Sequence, residues 1–112
     1  SGGTLPEKFK GKVPNQVSII DAVQASKQCT INALEQMSKF LGNLERISKF
    51  VKLTGYVNSD PSFKDHPKVI NGASDLLLEV FGERGKHTRV AVGVSSLPLD
   101  CVVEIDILCE VN

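Results

Sequence analysis

The chain has 112 residues, 41% of them hydrophobic, and sets 13 Lys and Arg against 13 Asp and Glu. A chain of this length buries roughly two thirds of its unfolded surface and forms one domain, which excludes two lobes closing over a cofactor. Zero net charge supplies no overall attraction to polyphosphates or anionic membranes, and no apolar run approaches the ~20 residues of a membrane span.

Residues 1–17 carry Gly2, Gly3, Pro6, Gly11 and Pro14 and predict a loop-rich lead-in. Ser18-Ile19-Ile20-Asp21 then has the form of a helix N-terminal capping signal. Ala22, Ala25, Cys29, Ala33, Met37 and Phe40 follow at a 3.6-residue period, and Gly42 suits a left-handed terminator, so a helix is expected over 18–41. Residues 47–58 switch to period two, with Val51, Leu53 and Val57 on one side and Phe50, Lys52, Thr54 and Tyr56 on the other. Asn58-Ser59-Asp60-Pro61 closes this strand as a turn.

Pro67 suits the first position of a second helix over 67–82, whose stripe is Val69, Ala73, Leu76, Leu77 and Val80. Asn71-Gly72 in its first turns is an unusual choice, since Gly costs about 1 kcal/mol relative to Ala in a helix. Close packing, a site or simple tolerance would each account for it. Strands follow at 89–94, where Val90, Val92 and Val94 are read as inward, and at 101–111. The order helix, strand, helix, strand, strand predicts one α+β sandwich over 1–112, with two helices on one face of a mixed sheet. The uncovered face then holds Phe50, Tyr56, Val102 and Leu108 among Thr54, Glu104 and Asp106, a mixture that reads as an oligomer interface.

Cys29, Cys101 and Cys109 form no CxxC pair and carry no metal-ligand spacing. An odd cysteine count, with nothing at the start resembling a signal peptide, favours reduced thiols in the cytoplasm or an organelle. His66 and His87 read as surface or loop residues. The residue types able to carry chemistry reduce to Arg89 at a strand start, Glu104 in mid-strand and Lys52. Arg89 is expected to reach a cleft, with Glu104 beside it on the neighbouring strand and opposite the core set.

Arg89-x-x-Val92-x-Val94-x-x-Leu97-Pro98 followed by Val103-Glu104-Ile105 resembles the C-terminal signature of the RidA (YjgF-like) family of reactive intermediate deaminases, also called L-PSP endoribonucleases. Val51-Lys52-x-Thr54 is similar to that family's central strand, and Ser1-Gly2-Gly3 to the end of its Ser-Gly-Gln strand. The stretches around Val57-Asn58-Ser59 and Phe81-Gly82-Glu83-Arg84-Gly85 look like a less-studied branch. The resemblance implies a chorismate-mutase-like fold assembled as a homotrimer with clefts between subunits, and no metal or organic cofactor. It implies Arg89 and Glu104 as catalytic residues: Arg89 grips the carboxylate of a 2-imino or 2-enamino acid, and Glu104 places the water that yields a 2-oxo acid and ammonia. Arg89, Ala91, Gly2 and Asn71 would line the ligand site.

The sequence departs from the family at several points. The family's N-terminal strands, with an aromatic residue that reaches the cleft, have no counterpart in 1–17. Ala91 stands where typical members often have Cys, and Lys86-His87-Thr88 where they usually have Pro; Asn71 aligns with their cleft Asn only across an insertion. The expected partners are a small carboxylate-bearing metabolite and two further copies of the chain, with no membrane and nucleic acid disfavoured. The alternatives to imine hydrolysis are a binding or regulatory trimer without turnover and, less favoured, RNA cleavage.

Overall fold

The computed structural model describes residues 6–112. Helix α1 runs Ile19–Leu41. Ser18 caps it, its Oγ accepting the Asp21 N–H at 3.1 Å, and Gly42 ends it in the left-handed region at φ 83°. Ala22, Ala25, Cys29 and Leu34 are buried along its stripe. The stripe gives out before Phe40, which is 89% exposed beside a shallow apolar groove lined by Met37, Leu41, Cys109 and Val111.

Strand β1 (Ile47–Asn58) leads into α2 (His66–Phe81), and strands β2 (Thr88–Val94) and β3 (Val103–Val111) follow. The sheet order is β2-β1-β3, with β1 parallel to β2 and antiparallel to β3. A parallel pair needs a crossover connection, and α2 supplies it. Both helices pack together on one face, giving the α+β sandwich that the sequence predicts. The helices meet at Gly72, where a Cβ would overlap the Val23 carbonyl oxygen and Ser26 Oγ. Ser26 Oγ in turn lies 2.7 and 2.8 Å from the Val69 and Val23 carbonyl oxygens, which share its one hydrogen. Close helix packing therefore accounts for the costly glycine.

Three orientations differ from expectation. Phe50 belongs to the core, 1% exposed and 4.8 Å from the Phe81 ring, because β1 is irregular against β3. Register shifts between Ile47 and Lys49 and between Phe50 and Lys52 leave Ser48 and Val51 as extra residues. Each extra residue reverses the alternation, so Ile47, Phe50 and Leu53 all point to the helices. Val102 is also fully buried, because β3 starts at Val103, two residues later than expected, and the Val102 N–H donates to the Phe9 carbonyl at 2.9 Å.

Third, Val90 and Val92 point away from the helices and are 37% and 39% exposed. Residues in register share a face, and Arg89 is in register with the buried Leu53, so Arg89, Ala91 and Gly93 take the helix side.

The lead-in is more than a loop. Phe9, Val13 and Val17 are buried, and the segment is stitched to the end of β1 and the start of β3. Asn58 is its anchor. The Asn58 side chain donates toward the carbonyls of Gly11 and Cys101 at 3.3 and 3.2 Å and accepts from Lys12 Nζ at 2.9 Å. Among the described residues no helix is long and apolar enough to cross a membrane.

Gly72→Ala adds a better helix former worth about 1 kcal/mol, yet inserts a methyl group where two backbones touch, an overpacking cost of about 1–3 kcal/mol. The substitution should lower the urea midpoint of the purified protein. A raised midpoint would mean that α1 and α2 are not held this close.

Candidate active site

Arg89 lies one residue into β2, on the open edge of the sheet and facing α2. Asn71 and Ser74 stand one turn apart on the side of α2 that overlooks it. Arg89 Nη1 donates to Asn71 Oδ1 at 2.5 Å and lies 3.5 Å from Ser74 Oγ. Asn71 and Arg89, read separately from the sequence, are therefore in contact. With Asp75, Leu78, Lys86 and His87, the Arg89 and Ser74 side chains line a hollow of about 460 Å³.

His87 precedes β2 and is half-buried. Its Nδ1 lies 2.6 Å from the Gly85 carbonyl oxygen, and its Nε2 lies 2.9 Å from Ser74 Oγ. A carbonyl only accepts, so Nδ1 bears hydrogen, and in that tautomer the Nε2 lone pair faces the Ser74 hydroxyl. Gly85 is itself wedged in place, since a Cβ there would overlap the Leu77 carbonyl. His87 and Ser74 are site residues that the sequence reading passed over. Their signal lies in spacing: Asn71 and Ser74 are i, i+3 on a helix, and His87 and Arg89 are i, i+2 in extended chain.

Arg89 has no carboxylate partner among the described residues, where the ion pairs are Lys10–Glu7 at 3.4 Å and Lys86–Glu83 at 3.0 Å. The guanidinium thus keeps most of its donors for a ligand. Glu104 is elsewhere. It lies on β3 in register with Tyr56, on the uncovered face, half-exposed and without an ion pair among the described residues. β1 lies between β2 and β3, so Glu104 is not on the strand next to Arg89, and within one copy the two residues occupy opposite faces of the sheet.

Ala91 shares the face of Arg89 but packs against the core rather than lining the hollow. Lys52 is exposed on the uncovered face. Gly2 lies outside the described residues. His66, the first residue of α2, meets the Phe63 ring edge-on at 5.4 Å and Ser59 Oγ at 3.3 Å, bordering a second hollow of about 300 Å³. No three His, Cys, Asp or Glu side chains among the described residues converge as metal ligands.

Cys101 and Cys109 are half-buried free thiols, whereas Cys29 is fully buried, its Sγ 3.9 Å from the Val103 carbonyl. Burial pushes the Cys109 thiol up, because a low-dielectric surrounding disfavours the thiolate. Near pH 7 Cys109 should therefore react with Ellman's reagent more slowly than an unhindered thiol, and the rate should climb as pH is raised past the ordinary thiol range. Fast modification at Cys109 at neutral pH, located by peptide mapping, would contradict this burial.

The sequence model of the family described as "YjgF/chorismate mutase-like, putative endoribonuclease" matches residues 4–111. Protein TCP17 of Trypanosoma cruzi is 44% identical over 116 residues, covering 98% of this chain and 72% of that protein. Atu1372 from Agrobacterium tumefaciens, a protein with unknown function, has a TM-score of 0.90 and 42% identity over 92% of this chain and 65% of its own. A Shewanella oneidensis structure described as "a putative endoribonuclease" has a TM-score of 0.88 and 33% identity, over 92% of this chain and 68% of that one. The chain thus spans about two thirds of the length of these solved relatives.

Proposed function

The chain belongs to the YjgF/chorismate mutase-like family, and on that premise we propose that it binds small 2-imino or 2-enamino acids at Arg89 and hydrolyses them to 2-oxo acids and ammonia. The observation that carries this reading is a guanidinium with no carboxylate partner among the described residues, set on the rim of a hollow about the size of a small metabolite site. Its planar fork matches a carboxylate in two parallel hydrogen bonds. Asn71 holds one arm of that fork from α2 and limits its rotation. Water adds to the C=N carbon, the nitrogen takes up protons, and ammonia leaves as the carbonyl forms.

The water-positioning role falls to Glu104, which one copy of the chain cannot bring to its own Arg89. We therefore place the complete site between copies in a homotrimer, where Glu104 of one copy faces Arg89 of the next. The uncovered face supports this arrangement. Leu108 is 58% exposed, and Val92 lies in register with Tyr56 and Val90 with Thr54 on the same face, an apolar set more extensive than isolated surface residues. A binding trimer without turnover is the second reading. The separation of Glu104 from Arg89 within one copy favours it, because gripping a carboxylate at Arg89 needs no second residue. RNA cleavage, the activity in the description of the Shewanella relative, gains no support from a zero net charge.

Charge-assisted hydrogen bonds are worth about 1.5–3 kcal/mol, so Arg89→Ala should weaken binding of pyruvate or 2-oxobutyrate by roughly 10- to 150-fold in calorimetry. Glu104→Gln should keep most of that binding and leave the decay of a freshly generated imino acid close to its uncatalysed rate. Unchanged 2-oxo acid affinity in a folded Arg89→Ala protein overturns the site; binding without imine turnover in the parent selects the second reading.

Sedimentation equilibrium of the parent should give about three times the protomer mass, and Leu108→Glu should shift it toward one. A parent that stays monomeric at micromolar concentration overturns the shared site.

A further inference from the structure

Three buried hydroxyls lie on the helices: Ser26, Thr30 and Ser74. Two of them follow the usual pattern of helical hydroxyls and give their hydrogen to backbone carbonyls. Ser26 Oγ shares its hydrogen between the Val23 and Val69 carbonyls, and Thr30 Oγ1 donates to the Ser26 carbonyl at 2.9 Å. Ser74 does otherwise. Its hydroxyl is 2.9 Å from His87 Nε2, the ring nitrogen left basic by the Gly85 carbonyl at Nδ1. The acceptor is held on the far side by a glycine that no larger residue can replace. A nucleophile within hydrogen-bond reach of a base, and a base oriented by a third group, is the arrangement that activates serine for attack on acyl carbon.

We propose that Ser74 and His87 form a nucleophile–base pair, oriented by the Gly85 carbonyl, that cleaves small carboxylate-bearing esters in the hollow beside Arg89. Ser74 Oγ adds to the ester carbonyl carbon while His87 Nε2 takes the hydroxyl proton. The carbon–oxygen bond to the leaving alcohol breaks, and His87 returns the proton to that oxygen, leaving an acyl-serine. Water then adds to the acyl carbon, its proton passes to Nε2, and Ser74 regains a hydrogen as the acid departs. Atoms balance with water as the only co-reactant. The guanidinium 3.5 Å from Ser74 Oγ selects esters with a carboxylate on the acyl side. That preference rests on the reading of Arg89 as a carboxylate anchor; the nucleophile does not.

The test uses diethyl p-nitrophenyl phosphate, a reagent with no carboxylate, and therefore succeeds or fails independently of any 2-oxo acid binding. The full chain should release one equivalent of p-nitrophenolate, and peptide mass spectrometry should place the diethylphosphoryl group on Ser74. Ser59, whose His66 lacks an orienting carbonyl among the described residues, serves as an internal control and should stay unmodified. His87→Gln should slow the labelling about 10²-fold or more, the usual contribution of a general base. Absence of the adduct from the folded parent overturns the proposal without recourse to any variant, as does equal labelling of Ser59. In a second arm, the mono-p-nitrophenyl ester of succinate should be cleaved roughly 10- to 150-fold faster than p-nitrophenyl butyrate, the range set by one charge-assisted contact. Equal rates overturn the assignment of carboxylate-bearing esters.

Discussion

The fold closes on one buried amide. Asn58 ends the central strand with no exposed surface, and its groups are spent on two separate pieces of chain. Its N–H donates to Val102 at the start of β3, its carbonyl accepts from Val13 in the lead-in, and its side chain reaches Gly11, Lys12 and Cys101. A buried amide left unsatisfied costs about 1–3 kcal/mol, so these partners hold one another in a single arrangement. With the lead-in fixed this way, Phe9, Val13 and Val17 close the end of a core that two helices and three strands would leave open.

From that fixed end, strand order dictates what chemistry one copy can assemble. β1 carries β2 on one side and β3 on the other, so the cation at the start of β2 and the carboxylate on β3 are kept apart by the central strand itself. Their faces differ as well, because Arg89 shares register with Leu53 and Glu104 with Tyr56. What one copy does assemble is local: two positions a turn apart on α2 face two positions in extended chain before and within β2. The resulting cluster of Asn71, Ser74, His87 and Arg89 draws on only two adjacent elements, and α2 is the crossover that joins β1 to β2.

Much of this was legible residue by residue. Ser18, Gly42 and Pro67 mark helix ends through local backbone chemistry that acts before any tertiary contact forms, and the structure uses each in that way. Arg89 and Asn71 could be named from a motif and a spacing. The faces of β1 could not. Alternation assumes one residue per pairing step, and the extra residues Ser48 and Val51 appear only when β3 is laid alongside. The buried state of Val102 likewise depends on a partner, Phe9, almost a full chain length away. The Ser74–His87 pair escaped notice for a related reason. A serine among apolar helix residues and a histidine before a strand each look ordinary until the crossover brings them within hydrogen-bond distance.

The connection from β2 to β3 turns through Leu99 and Asp100, both at φ 57° and neither a glycine. The left-handed region costs roughly 1–2 kcal/mol for each such residue, and Leu99 recovers little of this, being 77% exposed. The corner is held from below, where the Asp100 carbonyl accepts the Gly11 N–H at 2.7 Å and its carboxylate lies 3.4 Å from Asn58 Nδ2. Strain therefore collects at a surface point tied to the lead-in by a few hydrogen bonds. Amide protons at this corner should exchange with solvent well before those of β1, since local opening there relieves the strained backbone without disturbing the helix-packed sheet. Opening there also releases the Gly11 N–H and one contact of the Asn58 side chain, so the corner and the lead-in are expected to loosen together.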